Sequence, residues 1–114
     1  MKADAFRMEM WRNLFRIKYC MEKIMDPVTQ PEGLTPLQAL VLLAIRNRQV
    51  CNIRALCDAT QITQSNASTL CKKLEQAGFL YRVRSKADER VVTLSVTPAG
   101  CGALERILNR LHFI

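Results

Sequence analysis

The sequence predicts a mainly α fold with a small β-hairpin, of the α+β class, folded as a single domain. Three observations carry that expectation. Apolar residues recur at three- and four-residue spacing over residues 5 to 25 and again over residues 98 to 111. Thr35, Asn52 and Thr63 each stand where a side-chain oxygen can cap a following helical run. Two short segments, Phe79 to Arg84 and Val91 to Val96, alternate in polarity and are rich in β-branched or aromatic residues, which is the pattern of paired strands.

Bulk properties narrow the class. A chain of 114 residues supports one modest core, and 49% hydrophobic with 24% charged residues is ordinary globular composition. No stretch approaches the roughly 20 uninterrupted apolar residues of a membrane span. Asp4, Arg7, Glu9 and Arg12 break the N-terminal apolar run, so neither a signal peptide nor a lipidation site is expected, and the compartment read from this is the cytoplasm. The five cysteines, at 20, 51, 57, 71 and 101, form no Cys-x-x-Cys pair, and His112 is the lone histidine. The expectation is therefore no disulfide framework, no metal site and no cofactor. His112 has no acid or nucleophile within sequence reach, so no enzymatic activity is expected. A formal charge of +7, from 17 basic and 10 acidic residues, attracts polyanions, nucleic acid first and an anionic membrane surface second.

Taken in order, residues 5 to 25 place Phe6, Met10, Trp11, Leu14, Ile17, Met21, Ile24 and Met25 on a long amphipathic helix. Its apolar surface exceeds what so small a domain covers by itself, which points to a partner subunit. Asp26-Pro27 should stop this helix, leaving Pro27 to Gly33 as a connecting loop. Thr35-Pro36-Leu37-Gln38 combines a capping hydroxyl, a proline at the first helical position and a reciprocal Gln, predicting a helix over 36 to 47. Asn52 caps a short helix to about Ala59, and Thr63 caps another to Ala77, ended by Gly78 in the left-handed conformation. In that last helix Ala67, Leu70, Cys71 and Leu74 share one face, opposed by Ser65, Ser68, Thr69, Lys72 and Gln76. After the two strands, Thr97-Pro98 starts a final helix with Leu104, Ile107, Leu108 and Leu111 as its apolar stripe. The division expected is residues 1–33 for the N-terminal dimerisation helix and linker, 34–97 for the central module and 98–114 for a short C-terminal helix.

Two short helices joined by a tight turn, then a hairpin with a long polar tip, is the layout of a winged helix-turn-helix. Gly33-Leu34-Thr35-Pro36-Leu37-Gln38, Leu74 to Arg82, Ala87-Asp88-Glu89-Arg90 and Leu94 to Gly100 together resemble the multiple-antibiotic-resistance regulator (MarR) family. The resemblance implies a homodimeric transcription regulator whose helix 63–77 enters the major groove of a palindromic operator in double-stranded DNA, while wing 82–92 meets the minor groove. The residues suit those roles. Ser65, Ser68 and Thr69 are short enough for close approach to base edges, and Gln64 and Asn66 can make bidentate contacts with adenine. Lys72, Lys73 and Arg54 are placed for phosphates. In the wing, Arg82, Arg84, Lys86 and Arg90 supply charge for a narrow groove, with Asp88 holding the wing arginine or the loop in place. Between Arg46 and Arg90 nine basic residues face four acidic ones, so the charge excess concentrates on this module.

Some members of the family sense oxidants through a cysteine near the dimer-forming helices, and Cys20 occupies the corresponding region, making it the redox candidate. Cys57 and Cys71 fall on apolar faces and read as core. After Thr97 only 17 residues remain, fewer than the family's usual C-terminal helical region, so the subunit contact is expected to be smaller, different or more dependent on the N-terminal helix, and the identity of any small-molecule effector is left open. The competing reading is a winged-helix protein-interaction module, antirepressor-like, that does not bind DNA. Stable membrane association through residues 5 to 25 is disfavoured because Glu9, Glu22 and Asp26 dilute the positive charge.

Overall fold

The computed structural model of the chain describes residues 2–84, 87–88 and 92–112. Among these, six helices and one hairpin follow in the order α1 (Lys2–Cys20), a wide π-type turn (Met21–Met25), α2 (Asp26–Thr29), a 3-10 turn (Gln30–Glu32), α3 (Pro36–Arg46), α4 (Ile53–Thr60), α5 (Gln64–Gln76), β1 (Leu80–Arg84), β2 (Val92–Val96) and α6 (Pro98–His112). It is a mostly helical fold with one two-stranded antiparallel sheet. No helix of the described residues is long and apolar enough to cross a membrane.

The capping chemistry accounts for the helix starts. Thr35 Oγ1 accepts from the Gln38 N–H at 3.2 Å while Gln38 Oε1 accepts from the Thr35 N–H at 3.0 Å, closing the reciprocal box. Asn52 Oδ1 accepts from the Ala55 N–H at 2.7 Å and Thr63 Oγ1 from the Asn66 N–H at 3.2 Å. Pro36 sits where its missing N–H has no intrahelical partner to lose. Between these helices lies the core, in which Leu42, Leu56, Leu74, Leu104 and Cys71 are fully buried. On α6 the buried stripe is Gly100, Ala103, Leu104 and Ile107, with Leu111 half-buried. Leu108, expected on that stripe, is exposed, and Ala103 fills the place against the core.

Pro27 does not stop the first helix. The backbone stays right-handed helical through Cys20, Asp26 and Gln30, and only Gly33, at φ 73°, breaks it. A proline lacks the N–H for the carbonyl four residues back and its ring crowds that carbonyl. The chain answers by widening one turn: the Asp26 N–H reaches Met21 O, five residues back, so the helix absorbs the proline by a π-type bulge rather than ending. Thr29, fully buried, donates its hydroxyl to Met25 O at 3.0 Å on the far side of Pro27. The segment expected as a loop is therefore helical to Thr29 and then a single 3-10 turn.

α1 buries none of its residues. It projects from the core and stretches the molecule to 59 × 33 × 20 Å, with a radius of gyration of 16.8 Å against about 13 Å for a compact domain of similar size. At 100° per residue its large side chains form two stripes rather than one. Phe6, Met10, Leu14 and Ile17 make the first; Met8, Trp11, Phe15 and Tyr19 make the second, with Trp11 and Phe15 ring centroids 6.1 Å apart. The single stripe read from spacing had merged Trp11 with the first face and left Met8, Phe15 and Tyr19 out. Phe6 is 70% exposed, Trp11 56% and Tyr19 61%.

One ion cluster joins the chain's first third to its last helix. The Glu32 side chain, only 7% exposed, accepts from Arg106 Nε at 2.7 Å and Arg110 Nη2 at 2.5 Å, and Arg110 Nη1 donates to Val28 O at 3.0 Å. The two guanidiniums, chiefly through their hydrogen bonds, hold the Glu32 carboxyl below its usual 4.5. A carboxyl with a lowered folded-state pKa adds stability that is complete above the ordinary glutamate range and is lost as pH falls below that range and through the lowered value. Urea titrations between pH 7 and pH 3 should therefore show the wild type losing part of its stability on acidification, and Glu32→Gln, already weaker at pH 7, losing less over the same interval.

Candidate nucleic-acid interface

Helix α5 is the element with one face committed inward and one left open. Ala67, Cys71 and Leu74 are buried and Leu70 half-buried, all pointing into the core. Burial pushes the Cys71 thiol up from its ordinary range, only partly opposed by Arg82 nearby, so this cysteine is a packed, protonated core residue. The opposite ridge is Ser65, Thr69, Lys72 and Gln76, all exposed, flanked by Asn66 and Lys73 on one side and by Gln64 and half-buried Ser68 on the other. Gln76 belongs to this ridge on the same footing as its neighbours, although sequence reasoning gave it no site role. Thr69 donates its hydroxyl to Ser65 O at 3.0 Å, so toward a groove it offers lone pairs alone.

The turn before α5 fixes its entry. Gln61 at φ 62° ends α4, with its N–H on Cys57 O at 2.8 Å, and Thr63 caps α5 two residues later. Arg54, exposed in the first turn of α4, and Gln64, at the start of α5, line one cleft of about 350 Å³ with Cys57. The structure thus brings Arg54 to the N-terminal end of the open face, where a phosphate would meet both a guanidinium and the positive end of the helix dipole.

The hairpin is registered so that Leu80 pairs with Val96, Arg82 with Leu94 and Arg84 with Val92. Leu80 and Leu94 turn to the core, whereas Tyr81 and Val83 face outward. Arg82 Nε is bonded to Glu75 Oε1, so this arginine ties the root of the wing to the last turn of α5. Its charge is engaged at the hinge of the motif rather than presented at the tip. Arg84 and Asp88 are exposed. Lys86 and Arg90, the other wing residues named from the sequence, lie outside the described residues, and with Arg90 goes the Asp88–Arg90 pairing. Cys20 is exposed at the end of α1, directly before the widened turn.

The capped helix pair, the tight turn and the registered hairpin define a winged helix-turn-helix. Residues 32–91, more than half of the chain, match the model of the MarR family. The chain is 31% identical over 108 residues to an HTH-type transcriptional regulator of Bacillus cereus, covering 95% of this chain and 71% of that one. It is 29% identical over 93 residues to the HTH-type transcriptional regulator YwhA of Bacillus subtilis, covering 81% of this chain and 67% of that one. Its fold matches a mutant of MepR from S. aureus bound to an oligodeoxyribonucleotide with a TM-score of 0.76 at 23% identity, over 90% of this chain and 77% of that one. The chain belongs to the MarR family.

The cap on α5 decides how firmly the open face is held. Removing the Thr63 hydroxyl leaves an N–H of the first turn without its partner, for which the usual cost is about 1 kcal/mol. Thr63→Ala is expected to lower the unfolding free energy by that amount in urea titrations, with an unchanged m-value.

Proposed function

We propose that the chain is a DNA-binding transcription regulator that reads double-stranded DNA as a homodimer, with Gln64–Gln76 in the major groove and wing 82–92 along the adjacent minor groove. The observation that carries this is α5 itself: a helix whose inner face is locked by Ala67, Cys71 and Leu74 while Ser65, Asn66, Thr69, Lys72 and Lys73 stand exposed in a polar, basic outer surface. Short hydroxyl side chains permit close approach, Gln64 and Asn66 carry the amides suited to adenine, and Lys72, Lys73 and Arg54 supply phosphate contacts. Arg84, Lys86 and Arg90 are the wing's cations in this reading, Asp88 holds Arg90 or the loop in place, and Arg82 braces the wing against α5. Ser68, half-buried, contributes less than its exposed neighbours. MepR, which shares this fold, is known bound to an oligodeoxyribonucleotide, which supports DNA as the ligand.

The homodimer reading rests on α1, whose two exposed apolar stripes have no counterpart within the described chain to cover them. A second copy offers the same stripes in a closed, symmetric arrangement, and a two-fold protein matches a palindromic site. The regulator is assigned no catalytic activity, and the cytoplasm is its place of action. A redox role for Cys20 stays within this proposal, since an exposed thiol at the foot of the dimer helix is open to oxidants.

Two experiments test it. Anisotropy titrations on a duplex selected from a random pool should show Lys72→Ala weakening selected and random DNA alike and lowering the slope of log affinity against log salt by about one. Unchanged affinity and slope would remove α5 from the interface. Sedimentation equilibrium should find wild-type dimers, and Leu14→Glu should shift the population to monomers by putting a charge on the first apolar stripe. A wild type that sediments as a monomer would sink the symmetric reading.

A further inference from the structure

The two apolar stripes of α1 differ in chemistry and in the charges beside them, so they suit different partners. The first, Phe6, Met10, Leu14 and Ile17, is mainly aliphatic and is notched by a groove of about 340 Å³ that Glu9 and Asn13 border, a shape that accepts the side chains of a second helix. The second, Met8, Trp11, Phe15 and Tyr19, lies about 150° around the helix at 100° per residue, so a two-fold pairing through the first leaves it facing outward. We propose that this second stripe docks reversibly on an anionic lipid surface, with α1 lying along the membrane rather than crossing it.

Charge placement carries the choice of partner. Around the helix, Lys18 and then Arg7 lie beyond Trp11 on one edge of the aromatic stripe, Arg12 and then Arg16 lie beyond Tyr19 on the other, and all four are exposed. Trp and Tyr rings, apolar in body and polar at one end, settle at a lipid–water boundary. Lysine and arginine stems beside them lie along the apolar surface while their heads reach lipid phosphates. The acidic residues that dilute the charge of residues 5 to 25 lie off this face: Glu9 falls beyond Arg16, about 115° from the centre of the stripe, Glu22 sits in the widened turn and Asp26 begins α2. Among the described residues of α1, the one carboxylate on the face is Asp4, a full turn before Met8. Lys18 is 3.9 Å from Glu22 in an exposed pair, a contact too weak to withdraw its charge from the surface. The stripe runs for about 17 Å on a helix that buries none of its residues, so a flat surface can meet its whole length. This inference rests on the proposed function only in leaving the first stripe to a second copy.

Trp11 is the chain's one tryptophan and belongs to the stripe, so its emission reports docking directly. The full chain, without DNA, is titrated with vesicles of phosphatidylglycerol and phosphatidylcholine in equal parts, and with vesicles of phosphatidylcholine alone. The anionic vesicles should move Trp11 emission to shorter wavelength in a saturable way, lipids brominated in the acyl chain should quench it, and added salt should reverse both. Phosphatidylcholine alone should leave it in place. Arg12→Gln and Arg16→Gln together should weaken vesicle affinity by more than tenfold, since each cation near an anionic surface contributes about fivefold. Phe15→Glu should abolish the shift and keep the melting temperature and the sedimentation of the wild type, because α1 buries nothing in the core. No shift with anionic vesicles, the same shift with phosphatidylcholine alone, or full affinity in both variants would overturn the proposal. So would pelleting with vesicles that leaves Trp11 emission unchanged, which would mean that net positive charge alone does the binding. A Phe15→Glu chain that sediments lighter than the wild type would also overturn it, by giving the stripe to a second copy. Leu14→Glu tests the first stripe separately, so failure here leaves the dimer and DNA readings to their own measurements.

Discussion

Thr97 is where the helix that offers the open face, the wing and the last helix are held to one another. Its hydroxyl donates to Gly78 O at 2.6 Å and accepts from the Gly100 N–H at 3.0 Å, while its own N–H reaches Phe79 O at 3.0 Å. The same turn demands a glycine at 100: a Cβ there would lie 2.5 Å from Phe79 O and 2.6 Å from Val96 Cγ1. That close approach lets α6 start directly against the base of the hairpin, and with the Arg82–Glu75 pair it leaves α5 and the wing little freedom to turn relative to each other. The angle between them is thus determined by backbone contacts at one corner, and the outward side chains are free to be chosen for what they meet.

Much of this was legible from residue order because the signals are local. A hydroxyl followed by proline or a reciprocal glutamine states a helix start whatever surrounds it, and Thr35, Asn52 and Thr63 all cap as their spacing indicates. Gly78, at φ 84°, ends α5 for an equally local reason. Where the reading failed, the deciding factor was not local. Pro27 looks like a stop because proline removes one α-type bond, but a widened turn with Thr29 bonded across it makes the loss tolerable. Trp11 was grouped with the wrong stripe because three- and four-residue spacings run together on a helix with two apolar faces.

The outward face of α5 could be drawn from periodicity, yet the state of individual charges could not. Nothing in the order of residues reveals that Arg82 is held by Glu75, seven positions earlier, or that Arg46 is spent on Glu105 while Arg48, two residues on, is not. Pairings of this kind depend on which helix ends meet, and they separate a cation that braces the fold from one left exposed without a partner among the described residues. Glu32 is the same lesson in reverse: an acidic residue in a segment that reads as a connecting loop is the anchor for two arginines of α6.

The widened turn at Met21–Met25 also makes α1 a lever. Nineteen residues of helix beyond it reach about 28 Å at the usual rise, so a bend of roughly ten degrees at the turn carries the far end through about 5 Å. In the proposed pair of subunits joined along such arms, a change of a few degrees at one widened turn would become a change in the separation of the two copies of α5 that is large beside the width of a groove.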